Sequence, residues 1–284
     1  MQSVSSTYTQ IMENGGWQEV KLLIGDTEYG MSDNLVAMQT SHALFDKALS
    51  VGNTVSGAID IRLIASSNSI PTMAKLRPYV RATDGTTQSE WLPKGVYWID
   101  TREYDKETGV LSLVGYDAML MCEQDYLTTG NQGAWPQIDL NVLCDIAGRL
   151  DLGTDAYTAV SNPTGNPKAN GWYYKSGNNY YLSSNTSVQS GTTYYVRSNS
   201  GIDSRTLAVI TNHYKIGYPG VGEGAYTVRE VLGYIGSAYA GNWILNESGQ
   251  LRLIVIGDIP AETNYLITED GDIITIGGDR LVML

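Results

Sequence analysis

Over several short stretches apolar and polar positions alternate one by one, the signature of strands that bury a single face. From 17 to 29, Val20, Leu22 and Ile24 alternate with Glu19, Lys21 and Leu23, and Gly25-Asp26 supplies a turn, so this stretch reads as a hairpin. Ile59, Ile61 and Leu63 alternate with Asp60 and Arg62. Residues 76–82 form another strand, whose Pro78 suits an edge or a bulge because proline has no N–H for the ladder; Thr83-Asp84-Gly85 turns after it. The clearest hairpin runs over 95–116. There Val96-Tyr97-Trp98-Ile99 leads into Asp105-Lys106-Glu107-Thr108-Gly109 and returns through Val110, Leu111, Leu113 and Val114. Short strands at this spacing predict an antiparallel barrel or sandwich.

The period changes to that of a helix in two places. Over 139–150, Leu140, Leu143, Ile146, Ala147 and Leu150 fall on one helix face, with Asp139 as N-cap. Thr227-Val228-Arg229-Glu230 is a capping box; Val231, Leu232, Ile235, Ala238 and Tyr239 give the stripe, and Gly241 the stop. Trp243-Ile244-Leu245 and Leu251-Arg252-Leu253-Ile254 then flank Asn246-Glu247-Ser248-Gly249, making a helix that leads into a hairpin. Residues 142–148 and 231–237 resemble each other, a short match that either duplication or shared amphipathicity explains. Glu269-Asp270-Gly271-Asp272 lacks the alternating oxygen ligands of an EF-hand and reads as a β-turn between Tyr265-Leu266-Ile267 and Ile273-Ile274-Thr275-Ile276.

Between the two helices lies an island, 161–201, rich in Ser, Thr, Gly and Asn yet carrying Trp172 and the doublets Tyr173-Tyr174, Tyr180-Tyr181 and Tyr194-Tyr195. Flexible linkers lack such rings, so the island reads as an inserted β excursion on the surface. Exposed members of this set, Trp172, Tyr174, Tyr181 and Tyr195, are candidates to contact a glycan or a protein partner. The competing reading is that each doublet turns one ring inward and one outward, merely stabilising a tiny sheet.

The fold class expected is mainly β with α+β parts: antiparallel β-barrel-like tube domains, a helix-hairpin α/β unit and the small inserted excursion. The divisions expected are a barrel-like domain at 1–125, an α+β domain at 126–256 with helices near 139–151 and 227–240, and a β-hairpin at 257–284 returning to a barrel-like domain. The 284 residues include 20 Tyr and 6 Trp but one Phe, Phe45. Tyrosine suits half-buried faces and interfaces, although it is also simply a good strand former.

Thirty acidic against 18 basic residues give a net charge of −12, which repels phosphate backbones and disfavours binding of nucleic acid by charge. A composition 42% hydrophobic and 17% charged, with mean hydropathy −0.18, describes a globular chain. No apolar window approaches the roughly 20 residues that span a bilayer, and 1–16 has no basic start or apolar run of a signal peptide, so stable membrane insertion and export by that route are not expected. Synthesis in a cytoplasm, with Cys122 and Cys144 reduced, fits best.

Candidate chemistry is sparse. Two cysteines and two histidines, His42 and His213, leave little for a metal site, and no G-x-S-x-G, H-E-x-x-H or Walker loop occurs. A Cys144 and His213 pair is possible on order alone, but Cys144 lies on an apolar helix face. Asp100 with Glu103, or Asp117 with Glu123, make glycosidase pairs on paper, yet nothing separates their environments as that reaction requires. No catalytic residue, cofactor or metal is expected.

Phe45-Asp46-Lys47-Ala48-Leu49-Ser50-Val51-Gly52-Asn53, the 95–117 hairpin, Thr227 to Ile235 with Asn246-Glu247-Ser248-Gly249-Gln250-Leu251, and residues 265–278 together resemble the N-terminal region of phage and prophage tail hub proteins, similar to the baseplate hub of contractile tails. Asn166-Pro167-Lys168-Ala169-Asn170-Gly171-Trp172-Tyr173 and Ser190-Gly191-Thr192-Thr193-Tyr194-Tyr195 resemble a module inserted into assorted phage structural proteins. The resemblance implies a non-enzymatic homotrimer, made in the bacterial cytoplasm and placed at the distal tip of the virion tail. There it would close the tail tube and join the distal tail protein ring and tape measure protein to receptor-binding or fibre proteins. DNA would only pass through the lumen, whose wall part of the −12 would line. Two rival expectations stand beside it: a glycan-binding adhesin acting through 161–201, and a cell-wall hydrolase.

Overall fold

Strands that bury alternate residues outnumber helices along the chain. A computed structural model describes residues 2–31, 34–44, 50–65, 70–130, 132–210 and 214–255, and the backbone of 264–265, 275–276, 279–280 and 282–283. After helix α1 (Ser6–Glu13) come β1 (Trp17–Ile24), β2 (Thr27–Gly30), β3 (Leu35–Ser41), β4 (Ala58–Ile64), β5 (Lys75–Thr83), β6 (Leu92–Pro93), β7 (Tyr97–Asp105) and β8 (Val110–Tyr116). They form one antiparallel sheet in the order β2-β1-β5-β7-β8-β4-β3, with β6 paired to β5 off that path. Leu22 and Ile24, Leu76, Tyr97 and Ile99, Leu111 and Leu113, and Ile59, Ile61 and Leu63 all project from one face into a single core. Both predicted hairpins are present, and Asp105 closes the second by accepting the Glu107 N–H at 2.8 Å.

The sheet curls strongly. Six inter-strand steps would put β2 and β3 about 29 Å apart if it were flat, yet only residues 31–34 join them, a reach of about 18 Å. The barrel-like expectation is thus met in curvature but not in closure: β2 and β3 lie at the two ends of the pairing order and no sheet closes into a barrel among the described residues. Pro78 is not on an edge strand. It sits in β5 opposite Leu22 of β1, and on its other side its carbonyl accepts the Lys94 N–H at 2.9 Å just past β6.

The second unit packs a 3-10 turn (Ala118–Glu123), α2 (Asp139–Arg149) and α4 (Val228–Ala238) against the hairpin β15 (Gly241–Leu245) and β16 (Leu251–Val255). Earlier in the chain lie β9 (Gln137–Ile138), β10 (Asp155–Ala159), β11 (Tyr173–Ser176), β12 (Asn179–Leu182), β13 (Tyr194–Asn199), α3 (Ser204–Val209) and β14 (Lys215–Ile216), the last paired with β9. The capping box of α4 is present as read, Thr227 and Glu230 satisfying each other's backbone N–H.

Two helix termini differ from expectation. Ile138, not Asp139, is the N-cap of α2. Asp139 is the first helical residue, buried, and its carboxylate accepts bonds from Leu140 N at 2.7 Å, Tyr214 N at 3.0 Å and the Tyr239 hydroxyl at 2.5 Å, ties a capping pose would not allow it to keep together. After α4 it is Ala240 that turns left-handed, at φ 52°. Gly241 already belongs to β15, and a Cβ on it would come within 2.7 Å of the Ile254 carbonyl. The likeness of the two helices does not extend beyond them: β10, which follows α2, pairs with β13, whereas α4 runs directly into its own hairpin.

Arg229 ties the two units together. From α4 it reaches the Thr54 carbonyl, Thr54 Oγ1 at 2.9 Å, the Met119 carbonyl at 2.9 Å and Glu123 Oε1 at 2.5 Å. Replacing it by Met leaves buried carbonyls without donors, and the expected loss is about 2–3 kcal/mol of unfolding free energy in urea titrations. The segment at 264–283 contributes Asn264–Tyr265 paired with Val282–Met283 and Thr275–Ile276 paired with Asp279–Arg280. The turn read at 269–272 lies outside the described residues.

Candidate functional site

The aromatic excursion is a four-stranded antiparallel sheet in the order β10-β13-β11-β12. Its first strand, β10, starts at Asp155, directly after α2. Because neighbouring residues on a strand face opposite ways, each tyrosine doublet splits. Tyr173 and Tyr194 are buried, whereas Tyr174 and Tyr181 are 37% and 46% exposed. On one face Tyr157 and Tyr180 stack in parallel with ring centroids 3.9 Å apart, Tyr173 meets Tyr157 edge-on at 5.4 Å, and Tyr195 meets Tyr180 edge-on at 5.0 Å.

The opposite face is the open one. Tyr174 and Tyr181, cross-strand partners, lie 5.8 Å apart at 31°. Beside them Trp172 packs at 5.9 Å on the buried ring of Tyr194, and Val196 is exposed. Three of the four residues singled out from the sequence, Trp172, Tyr174 and Tyr181, therefore share this face, and Tyr195 belongs to the other. Tyr157 and Val196 went unnoticed in the sequence: Tyr157 precedes the compositional island, and an isolated valine carries no signal until its strand partners are known.

The module is fastened at its base. Asp155 accepts bonds from Arg197 at 2.6 Å and from Asn199 Nδ2 at 2.9 Å. Burial works against the Arg197 charge, but its bonds to Asp155 and Tyr173 outweigh this and hold it protonated. Asn141 of α2 donates to the Gly171 carbonyl at 2.9 Å. Gly171 has φ 66°, and a Cβ there would come within 2.7 Å of both Asn141 and Ile138, so only glycine allows this approach. Excising 161–201 would remove the partner of β10, so substitutions on the open face are the cleaner probe of its role.

A second polar group lies where the curled sheet meets the helical unit. Asp117 is buried; its Oδ2 accepts the Gly57 N–H at 2.8 Å and its Oδ1 the Met119 N–H at 3.0 Å. Burial raises its pKa to about 7, against the pull of these two N–H groups and of Arg229. Tyr97 donates to the Lys94 carbonyl at 3.0 Å and contacts His42 Nε2 at 2.6 Å.

These groups join segments rather than face a substrate. The Asp117 and Glu123 pair is divided: Asp117 faces backbone amides, and Glu123 is exposed and paired with Arg229. Asp100 and Glu103 are both exposed on β7. Cys122 and Cys144 are buried, free thiols whose pKa burial pushes up to about 12, far from the thiolate a nucleophile or metal ligand needs. His213 lies outside the described residues, as do Phe45 to Leu49. Among the described residues no three His, Cys, Asp or Glu side chains gather as a metal site, and no helix is long and apolar enough to cross a membrane.

No family model matches the chain, and no curated protein matches it. Several solved structures are similar, two tail proteins among them. The tail protein from Neisseria meningitidis MC58 superposes with a TM-score of 0.41 at 12% identity, over 83% of this chain and 50% of that one. The 43 kDa tail protein of prophage MuSo2 from Shewanella oneidensis gives 0.39 at 13% identity, over 88% of this chain and 59% of that one. The chain thus spans between half and three fifths of the length of these two proteins. Likeness at this level leaves the function to be argued from the chain's own surfaces.

Proposed function

We propose that the chain is a non-enzymatic structural component of a phage or prophage tail, a hub at the distal tip that closes the tail tube and carries receptor-binding or fibre proteins. The observation that supports this best is the curled sheet with two unclosed edges. Strands β2 and β3 end the pairing order, and large apolar side chains stand open on or near the sheet, Met31 at 64% and Trp17 at 53% exposed, with Val36 exposed on β3 itself. Unpaired edges and exposed apolar residues are liabilities on a solitary chain and useful on a subunit that copies or neighbours will cover. The polar groups withdrawn from solvent, Asp117, Asp139 and Tyr97, are all engaged in holding segments together. The sequence resemblance supplies the particular assembly: a homotrimer bound to a distal tail protein ring, with DNA passing through an acidic lumen.

Mass by light scattering tests it. The purified chain is expected near three times 30.9 kDa, and to form a larger complex when mixed with a distal tail protein. A monomer at high concentration that ignores tail proteins would overturn the assembly.

A further inference from the structure

The sheet of the excursion parts at one place. Strand β11 pairs with β12 along its whole length, Tyr173 to Ser176, but with β13 only at Tyr173 and Tyr174. Gly191, at φ 75°, turns the chain ahead of β13. The Thr192 N–H closes on the Gln189 carbonyl at 3.2 Å, and the Gln189 N–H is held by the hydroxyl of buried Tyr194 at 3.2 Å. Residues 191–193 therefore bend away from β11 and open a cleft of about 330 Å³, lined by Tyr174, Lys175, Gly191, Thr192, Thr193 and Tyr195. Backbone groups face it too. The Trp172 carbonyl accepts the Ser183 N–H on the β12 side at 2.8 Å, so by the alternation of an antiparallel ladder the N–H and carbonyl of Lys175 point the other way, into the gap, where β13 no longer pairs with them.

We propose that this cleft holds one carboxylated sugar ring of a glycan. Its cation is Lys175, which is exposed and which no carboxylate pairs with among the described residues. Residues 156–202 contain no Asp or Glu, and Asp155, just before them, is taken by Arg197 and Asn199. The Lys175 ammonium stands 5.6 Å from the Tyr180 ring centroid, on the face where Tyr195 meets that ring edge-on at 5.0 Å, so the charge sits beside aromatic carbon. One ammonium balances one negative charge, which suits a carboxylate better than the near-dianion of a phosphate monoester. The Thr192 and Thr193 hydroxyls and the Lys175 backbone groups supply the mixed donors and acceptors that ring hydroxyls need, while Tyr195 and Tyr174 give flat apolar surface to ring C–H groups. The volume lies at the small end of ligand sites, enough for one ring. In a chain of net charge −12, a cation with no carboxylate around it draws an anion that the rest of the surface repels. This inference does not rest on the tail reading.

The test is titration of the intact chain with trigalacturonate, with its methyl ester as the uncharged form of the same sugar and polyglutamate as an anion without sugar rings. The expected result is saturable binding of trigalacturonate, with the ester bound about tenfold more weakly and polyglutamate not bound. Lys175→Met should weaken trigalacturonate to the level of the ester and remove the salt dependence, while Lys168→Met, which deletes the same charge outside the cleft, leaves both unchanged. Thr193→Val should weaken acid and ester alike, about threefold, since it removes a contact to the ring and not to the charge. Lys175 and Thr193 are exposed, so these variants keep the fold, which circular dichroism verifies. The proposal is overturned by any of four results: no saturable binding of trigalacturonate, equal binding of the ester or of polyglutamate, indifference to both cleft variants, or a Lys168 variant as weak as the Lys175 one, which would assign the binding to general charge.

Discussion

Trp243→Ala lowers the unfolding free energy by about 4 kcal/mol, the upper part of the range for deleting a buried aromatic. Trp243 is fully buried on β15, and its indole Nε1–H donates to the Leu232 carbonyl of α4 at 2.7 Å. Its backbone N–H donates to Asn53 at 2.8 Å, so one residue ties the hairpin both to the helix and to the segment leading out of the curled sheet. Gly236 is small because of this ring: a Cβ there would lie 2.9 Å from Nε1. The alanine variant opens a cavity and removes the indole hydrogen bond at once. Trp243→Phe keeps most of the volume and loses the donor, so its expected cost is smaller, about 2 kcal/mol. Urea unfolding followed by circular dichroism reads both, and equal stability of the alanine variant and the parent chain would show that the hairpin is not packed as described.

The contribution of Asp117 to stability declines as pH rises from about 4 to 7, at up to 1.4 kcal/mol per pH unit for one proton, and then levels. His42, whose pKa burial lowers, instead adds stability as pH rises toward 6.5. Burial raises the Asp117 pKa from 3.8 to about 7. Between those values the unfolded chain has released the proton and the folded chain retains it. Folding therefore takes up a proton in this window, and removing protons from solution favours the unfolded state. Below pH 4 both states are protonated, above 7 neither is, and the contribution is flat. Asp84 and Asp105, whose backbone and side-chain hydrogen bonds lower their pKa, act in the opposite sense at more acidic pH, so their effect separates from that of Asp117. Asp117→Asn should remove this decline between pH 4 and 7, and a slope unchanged in that variant would assign the window to another group. The same titration touches the junction between the two units, since Asp117 holds Gly57 on one side and starts the 3-10 turn at Met119 on the other.

Much of this was readable from local pattern. The alternation at Ile59, Ile61 and Leu63 named the inward face of β4 because the period of a strand is two whatever it pairs with, and all three are buried. Thr227 and Glu230 announced α4 because a capping box is satisfied within four residues. Helix α1 went unread: its start depends on Ser5, which accepts the Tyr8 N–H at 3.1 Å but is itself held by Glu90, 85 residues away. The candidate site was half legible. Doublets of tyrosine said that one ring of each pair faces out, whereas which rings share a face follows from the register Tyr173 to Tyr195 and Tyr174 to Tyr181, a property of pairing and not of composition.

Strand period, helix period, caps and turns are written in neighbouring residues, since each rests on contacts a few positions apart, and these decided that the chain is mainly β with two well-signed helices and an aromatic excursion between them. The order of strands, the curl that leaves β2 and β3 unclosed, the displacement of Asp139 from cap to tether, the raised pKa of Asp117 and the division of the tyrosines between two faces came only with the tertiary structure. Each of these depends on groups distant in sequence meeting out of water, where a missing hydrogen bond or an unpaired charge costs more than local preference supplies.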